Sequence, residues 1–136
     1  MNKKFENNFT ADKVIEYKQT EQGNLHLHIF NPTNHDLNTK KPVAIFFFGG
    51  GWVSGTPKQF YPHCEHLSKL GVVAISAEYR IKNTHNTSPI ECVKDGKSAL
   101  RWVRSHSDEL GIDPDKVIAG GGSAGGHVAM STATST

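Results

Sequence analysis

Residues 121–125 of the 136-residue chain read Gly121-Gly122-Ser123-Ala124-Gly125, a G-x-S-x-G pattern. The spacing has a mechanical cause. A serine on a sharp strand-to-helix turn is held in a strained backbone conformation with its hydroxyl exposed. Side chains two positions before and two after it would collide, so glycine takes both places. A helix that starts just past the serine points its positive end at it and favours developing negative charge. A second glycine run, Gly49-Gly50-Gly51, stands before Trp52. Its backbone N–H groups can face a cavity with no side chain in the way. Such groups hold the oxyanion of a tetrahedral intermediate in acyl transfer. Trp52, just past these glycines, is a candidate for touching substrate.

The same stretch supports a rival from another class. Gly120, Gly122 and Gly125 spell G-x-G-x-x-G, the dinucleotide-binding fingerprint, whose amides cradle phosphate. That fingerprint asks for an acidic residue about 20 positions further on, and these 136 residues end before that position. It also belongs to the first strand of its unit, whereas two buried strands are expected ahead of this one, and it leaves Gly49-Gly50-Gly51-Trp52 unexplained. A third reading is a non-catalytic interaction protein.

Both glycine runs follow apolar runs that can serve as buried strands. Val43 to Phe48 is apolar on both faces, which demands cover on both sides, the habit of a parallel sheet between helices. Val72 to Ser76 is a second such strand, and Val117 to Ala119 opens a third. Before them, Val14 to Lys18 and the alternating Leu25, Leu27 and Ile29 predict an antiparallel hairpin turning at Gln22-Gly23-Asn24. Helices are expected over Tyr61 to Leu70, with Cys64, Leu67 and Leu70 on one face and Gly71 as the stop, and over Pro89 to Leu110. The second has a Ser88-x-x-Glu91 capping box, a stripe of Ile90, Val93, Leu100, Val103 and Leu110, and Gly111 at its end. Asp113-Pro114-Asp115 predicts a turn. The expectation is one α/β domain over residues 1–136, with residues 1–12 loose. Its mostly parallel sheet carries helices on both faces and follows the antiparallel hairpin.

These motifs resemble the α/β-hydrolase superfamily, in its hormone-sensitive-lipase-like and feruloyl- or acetyl-esterase-like branch. FFFGGGW resembles the oxyanion loop of that branch, GGGSAGGHVA its nucleophile elbow, SALRWVRSHSDELGIDPDKV the helix and turn leading to the elbow, and AEYR the segment after its next strand. The resemblance implies a serine carboxylic-ester hydrolase working through an acyl-enzyme. Ser123 is the nucleophile on this reading, with oxyanion donors from the backbone of Gly50, Gly51 and Ala124, and with Gly121 and Gly125 framing the elbow. Phe48 stands where the branch usually carries histidine, and it cannot hydrogen-bond to brace the loop. The family's triad runs Ser, then Asp or Glu, then His. Of the 13 residues after Ser123 none is Asp or Glu, and the one histidine, His127, lies only four residues on. The expectation is therefore an amino-terminal half of such an enzyme, inactive and poorly soluble by itself, with an exposed third strand.

The remaining composition narrows the classes. Net charge is +2 and charged residues are 21% of the chain, with positive charge scattered rather than striped, which argues against nucleic acid as a partner. The six-residue run Val43 to Phe48 is far short of the ~20 residues of a membrane-spanning helix, and no signal peptide is visible, so the default compartment is the cytoplasm. Cys64 and Cys92 read as reduced, buried thiols. The partner implied is a small-molecule ester, no metal or organic cofactor is called for, and oligomeric state is not readable. His26 and His28 share a strand face without an evident third ligand. His63 and His66 read as a solvated helix face, and His85 and His106 as exposed. Asp95 reads by default as a surface carboxylate, with pairing or a hydrogen bond near the elbow as the alternative; Trp52 and Trp102 read as core or cleft wall, and Glu78, Tyr79 and Arg80 as a structural ion-pair or hydrogen-bond network.

Overall fold

A computed structural model describes residues 9–21, 23–47, 57–80 and 89–121. Strand β1 (Lys13–Thr20) and strand β2 (Gly23–Phe30) form the expected antiparallel hairpin. Gly23, at φ +127°, takes a backbone conformation that side chains resist. Strand β3 (Lys41–Phe47) leads to a 3-10 turn (Pro57–Phe60), helix α1 (Tyr61–Lys69) and strand β4 (Val73–Ala77). Helix α2 (Pro89–Ser105), the short α3 (Ser107–Leu110) and strand β5 (Ile112–Gly121) complete the order.

The five strands make one mixed sheet in the order β1-β2-β4-β3-β5. β3 lies parallel to both β4 and β5, and the hairpin joins through an antiparallel β2–β4 pairing. The hairpin thus extends the sheet instead of standing apart from it. Cross-strand rows follow from the register. His28, Ser76, Phe46 and Gly120 form one row, and Leu27, Ala77, Phe47 and Gly121 the next. Successive residues of a strand point to opposite faces, so the rows alternate between the helices.

One face packs under α2. Leu27, Ile29, Val43, Ile45, Phe47, Val73, Ile75 and Ala77 meet Ala99, Leu100 and Val103 there. The other face packs under α1, where Phe30 and Ala74 meet Tyr61 and Cys64. Helices on both faces were the sequence expectation.

Local departures have identifiable causes. The inward face of α1 is Tyr61, Cys64 and Ser68, while Leu70 is 66% exposed. The helix ends at Lys69, so Leu70 has left the helical stripe before Gly71 turns the chain. The long helix expected to Leu110 breaks at His106, whose ring stacks on Trp102 at 3.9 Å and takes a hydrogen-bonding position beside Trp102 O. His106 is consequently half-buried rather than exposed. The turn at Asp113-Pro114-Asp115 is an excursion within β5. Ile112 pairs with Lys41 and Val117 with Val43, so residues 113–116 bulge out, with the Asp115 N–H donating to Asp113 Oδ1 at 2.9 Å. β5 is one of the two edge strands among those described, and Ile118 on it is 63% exposed.

Candidate active site

Parallel strands that end at the same level deliver their following loops to one crevice. Phe47, the last residue of β3, pairs with Gly121, the last residue of β5. The strands that precede residues 49–51 and 122–125 in the chain therefore lie side by side and end at the same level. Ser123, Ala124, Gly122, Gly125, Gly49, Gly50, Gly51 and Trp52 themselves lie outside the described residues, as do Phe48, Gln22, His85, Ser88 and His127 and the side chains of Ile90, Glu91, Cys92 and Val93. Gly121 is the last residue of β5.

Gly120 sits inside β5, not in a turn. It pairs with Phe46, and a Cβ there would lie 3.4 Å from the Phe46 ring. The first glycine of a dinucleotide fingerprint makes the tight turn; this one is a paired residue inside a strand. That counts against the phosphate-binding reading.

The segment after β4 is a polar junction. Glu78 Oε1 accepts from the His26 backbone N–H at 2.9 Å and from the His26 ring at 3.0 Å, and Glu78 Oε2 lies 2.8 Å from His28 Nε2. The tautomer in which His28 Nε2–H donates to Glu78 leaves Nδ1 to accept from the Tyr61 hydroxyl, 2.5 Å away. Burial pushes the Glu78 carboxyl upward, but the hydrogen bonds of His28 and His26 outweigh it and hold the group below its ordinary 4.5. Burial raises the Tyr61 hydroxyl, and the Glu78 charge adds to the rise. Glu78 is thus the shared partner of His26 and His28. Among the described residues no three such side chains are arranged to hold a metal ion.

Asp95 is fully buried, which corrects the expectation of a surface carboxylate. Its oxygens accept from the Arg80 backbone N–H at 2.8 Å, from the Arg80 guanidinium at 3.0 Å and from Lys18 Nζ at 2.9 Å. One carboxylate in α2 thereby ties β1 to the chain leaving β4. The Tyr17 hydroxyl donates to the Glu78 carbonyl beside it. Burial drives the Tyr17 hydroxyl upward, and the charges of Asp95 and Glu78 drive it further. Tyr79 is buried edge-on against Phe47, the residue from which the first glycine turn departs. The expected structural network at Glu78–Arg80 is present, although its members answer to different partners.

On the α1 side, Ser76 is fully buried and its hydroxyl donates to the Pro57 carbonyl at 2.5 Å. Cys64 is a free, buried thiol that burial pushes up to about 12. His63 and His66 are exposed and flank a shallow apolar hollow of about 330 Å³ with Phe46 and Leu67. The Ser76–Pro57 and Tyr61–His28–Glu78 contacts escaped the sequence reading. They join residues 19 to 50 apart in the chain, and only the strand register brings them together.

The BD-FAE family profile matches residues 27–136. The chain belongs to the BD-FAE family. Its sheet and helices are those of the α/β-hydrolase fold, as the sequence resemblance implied. "Probable carboxylic ester hydrolase LipM" of Mycobacterium tuberculosis is 37% identical over 121 residues, which are 88% of this chain and 27% of LipM. Esterase LipQ of the same organism is 38% identical over 97 residues, covering 71% of this chain and 23% of LipQ. The native structure of the thermophilic esterase Est2 from Thermogutta terrifontis superposes with a TM-score of 0.84 at 48% identity, over 86% of this chain and 42% of Est2. The BD-FAE chain thus spans about a quarter of these curated relatives and under half of the solved one.

Proposed function

We propose that this BD-FAE chain carries the nucleophile and oxyanion half of a serine carboxylic-ester hydrolase. The observation that supports the reading is the Phe47–Gly121 pairing, which ends β3 and β5, the strands that precede the two glycine motifs in the chain, at the same level. The esterase names of the relatives support it.

In the proposed reaction Ser123 Oγ attacks the ester carbonyl while a histidine from outside these 136 residues takes its proton. An acid, also from outside, orients that histidine. The amides of Gly50, Gly51 and Ala124 hold the oxyanion, each donor contributing roughly 3–4 kcal/mol of barrier lowering. The alcohol leaves with the proton from the histidine. Water, deprotonated by the same histidine, then releases the acid and restores Ser123. Serine without a base is a poor nucleophile, so these 136 residues alone do not turn over. Solved forms of Est2 are described as butyrate-bound and propionate-bound, which favours short acyl chains here.

A hybrid tests this. Residues 9–136 replace the matching stretch of Est2, and hydrolysis of p-nitrophenyl butyrate is followed. The expected result is a working hybrid in which Ser123→Ala abolishes turnover, beside a 136-residue chain that reacts sluggishly with a fluorophosphonate. A Ser123→Ala hybrid that keeps its activity overturns the assignment of the nucleophile. Rapid stoichiometric labelling of Ser123 in the 136-residue chain overturns the claim that its base lies elsewhere.

A further inference from the structure

The first glycine turn must return to the sheet, and the point of return is described. Three contacts hold it within five residues. Pro57 is bound through its carbonyl by the buried Ser76 hydroxyl. Phe60 stacks on Phe46 with ring centroids 5.1 Å apart and planes 9° apart. Tyr61, the first residue of α1, gives its hydroxyl to His28, whose other nitrogen is held by Glu78. Ser76, Phe46 and His28 are neighbours in one cross-strand row, so three strands grip one short segment.

We propose that Ser76 and the Tyr61–His28–Glu78 chain are positioning residues that clamp the start of α1 to the sheet and thereby fix where the glycine turn ends. The clamp does the bracing that Phe48, lacking a hydrogen-bonding group, cannot do. The consequence for oxyanion stabilisation rests on the ester-hydrolase reading; the clamp itself does not. The polar groups involved have no simpler explanation in packing. An alanine at 76 would fill a buried strand position equally well, and a phenylalanine at 61 would keep the edge-on contact with Phe30, whose ring centroid lies 4.9 Å away.

Tyr61→Phe and Ser76→Ala each remove one hydroxyl and leave the surrounding apolar contacts. Amide hydrogen exchange of the 136-residue chain is measured over residues 48–61 and, for reference, over β2 and β4. Loss of one buried hydrogen bond is expected to speed exchange over 48–61 by roughly five- to tenfold relative to the reference strands. Val103→Ala, a core deletion under α2, serves as the control and raises exchange evenly. Equal changes in both regions, or none, would overturn the clamp. In the Est2 hybrid, the same two variants are expected to lower kcat about fivefold or more at unchanged KM, because misplaced amides weaken transition-state contacts and spare substrate binding. A fall in stability with kcat intact would reduce the clamp to a structural contact. A hybrid inactive with Ser123 in place would sink the ester-hydrolase reading, while the exchange comparison would still decide the clamp.

Discussion

The two faces of the sheet are built on different principles. Under α2 the contacts are almost wholly apolar, with Val43, Ile45, Val73, Ile75 and Val103 all at 0% exposure. Under α1 the sheet offers a small apolar cluster around Tyr61 and Cys64, then a polar row in which Ser76 and His28 bind named atoms of the helix start and its 3-10 turn. Apolar burial is non-directional and scales with area. A hydrogen bond fixes a distance and an angle but adds only about 0.5–1.5 kcal/mol net. The α2 face therefore supplies stability, and the α1 face supplies geometry, on the side where the first glycine turn rejoins the fold.

The largest break in this contrast is expected at the charged spot of the α2 side. Asp95→Ala removes the buried carboxylate that accepts from Arg80 and Lys18, at a cost of about 3–5 kcal/mol. Their side chains are 12% and 23% exposed, so solvent relieves little of the loss at Arg80 and somewhat more at Lys18. Urea unfolding of wild type and variant measures it. A midpoint within error of wild type would mean that Asp95 is not the junction between α2, β1 and the segment after β4.

A smaller effect separates the two apolar clusters. Ile45→Ala, in the middle of the α2 face, is expected to cost about 2–5 kcal/mol. Cys64→Ala on the α1 face removes one sulfur and is expected to cost about 1 kcal/mol, the worth of a methylene-sized group. The same urea experiment ranks them. Equal costs would erase the distinction between a face built for stability and one built for placement.

How much of this was legible beforehand depended on the range of the interaction. The unalternating run from Val43 to Phe48 announced a strand covered on both sides, and β3 (Lys41–Phe47) is that strand over its described residues. Alternation at Leu25, Leu27 and Ile29 announced the hairpin, because period two is a local property of one strand. The glycine motifs announced a serine turn and an amide-rich loop, which lie outside the described residues; the strands before them, β3 and β5, end side by side. Asp95 was misjudged for a physical reason: a lone carboxylate in a helix looks solvated until Lys18 and Arg80, 77 and 15 residues away, are seen to neutralise it. The break at His106 was invisible because the apolar stripe continues across it to Leu110. His26 and His28 shared a strand face without an evident third partner because the partners of His28, Glu78 and Tyr61, come from other elements.

The smallest effect disappears in acid and tests the polar face alone. Glu78 is held below its ordinary 4.5 in the folded chain by the two histidines, against the upward push of burial. A carboxylate lowered on folding contributes stability that is fully present above its unfolded value and is lost as pH falls through the folded one. Glu78→Gln should therefore melt below wild type at pH 7, and the gap should close as pH drops below 4.5. Once Glu78 is protonated it differs little from glutamine in shape and charge, and both then face the His26 and His28 rings as neutral groups. Thermal melts of the two proteins between pH 3 and pH 7 follow the gap. A gap that stays constant into acid would show that Glu78 acts through its shape.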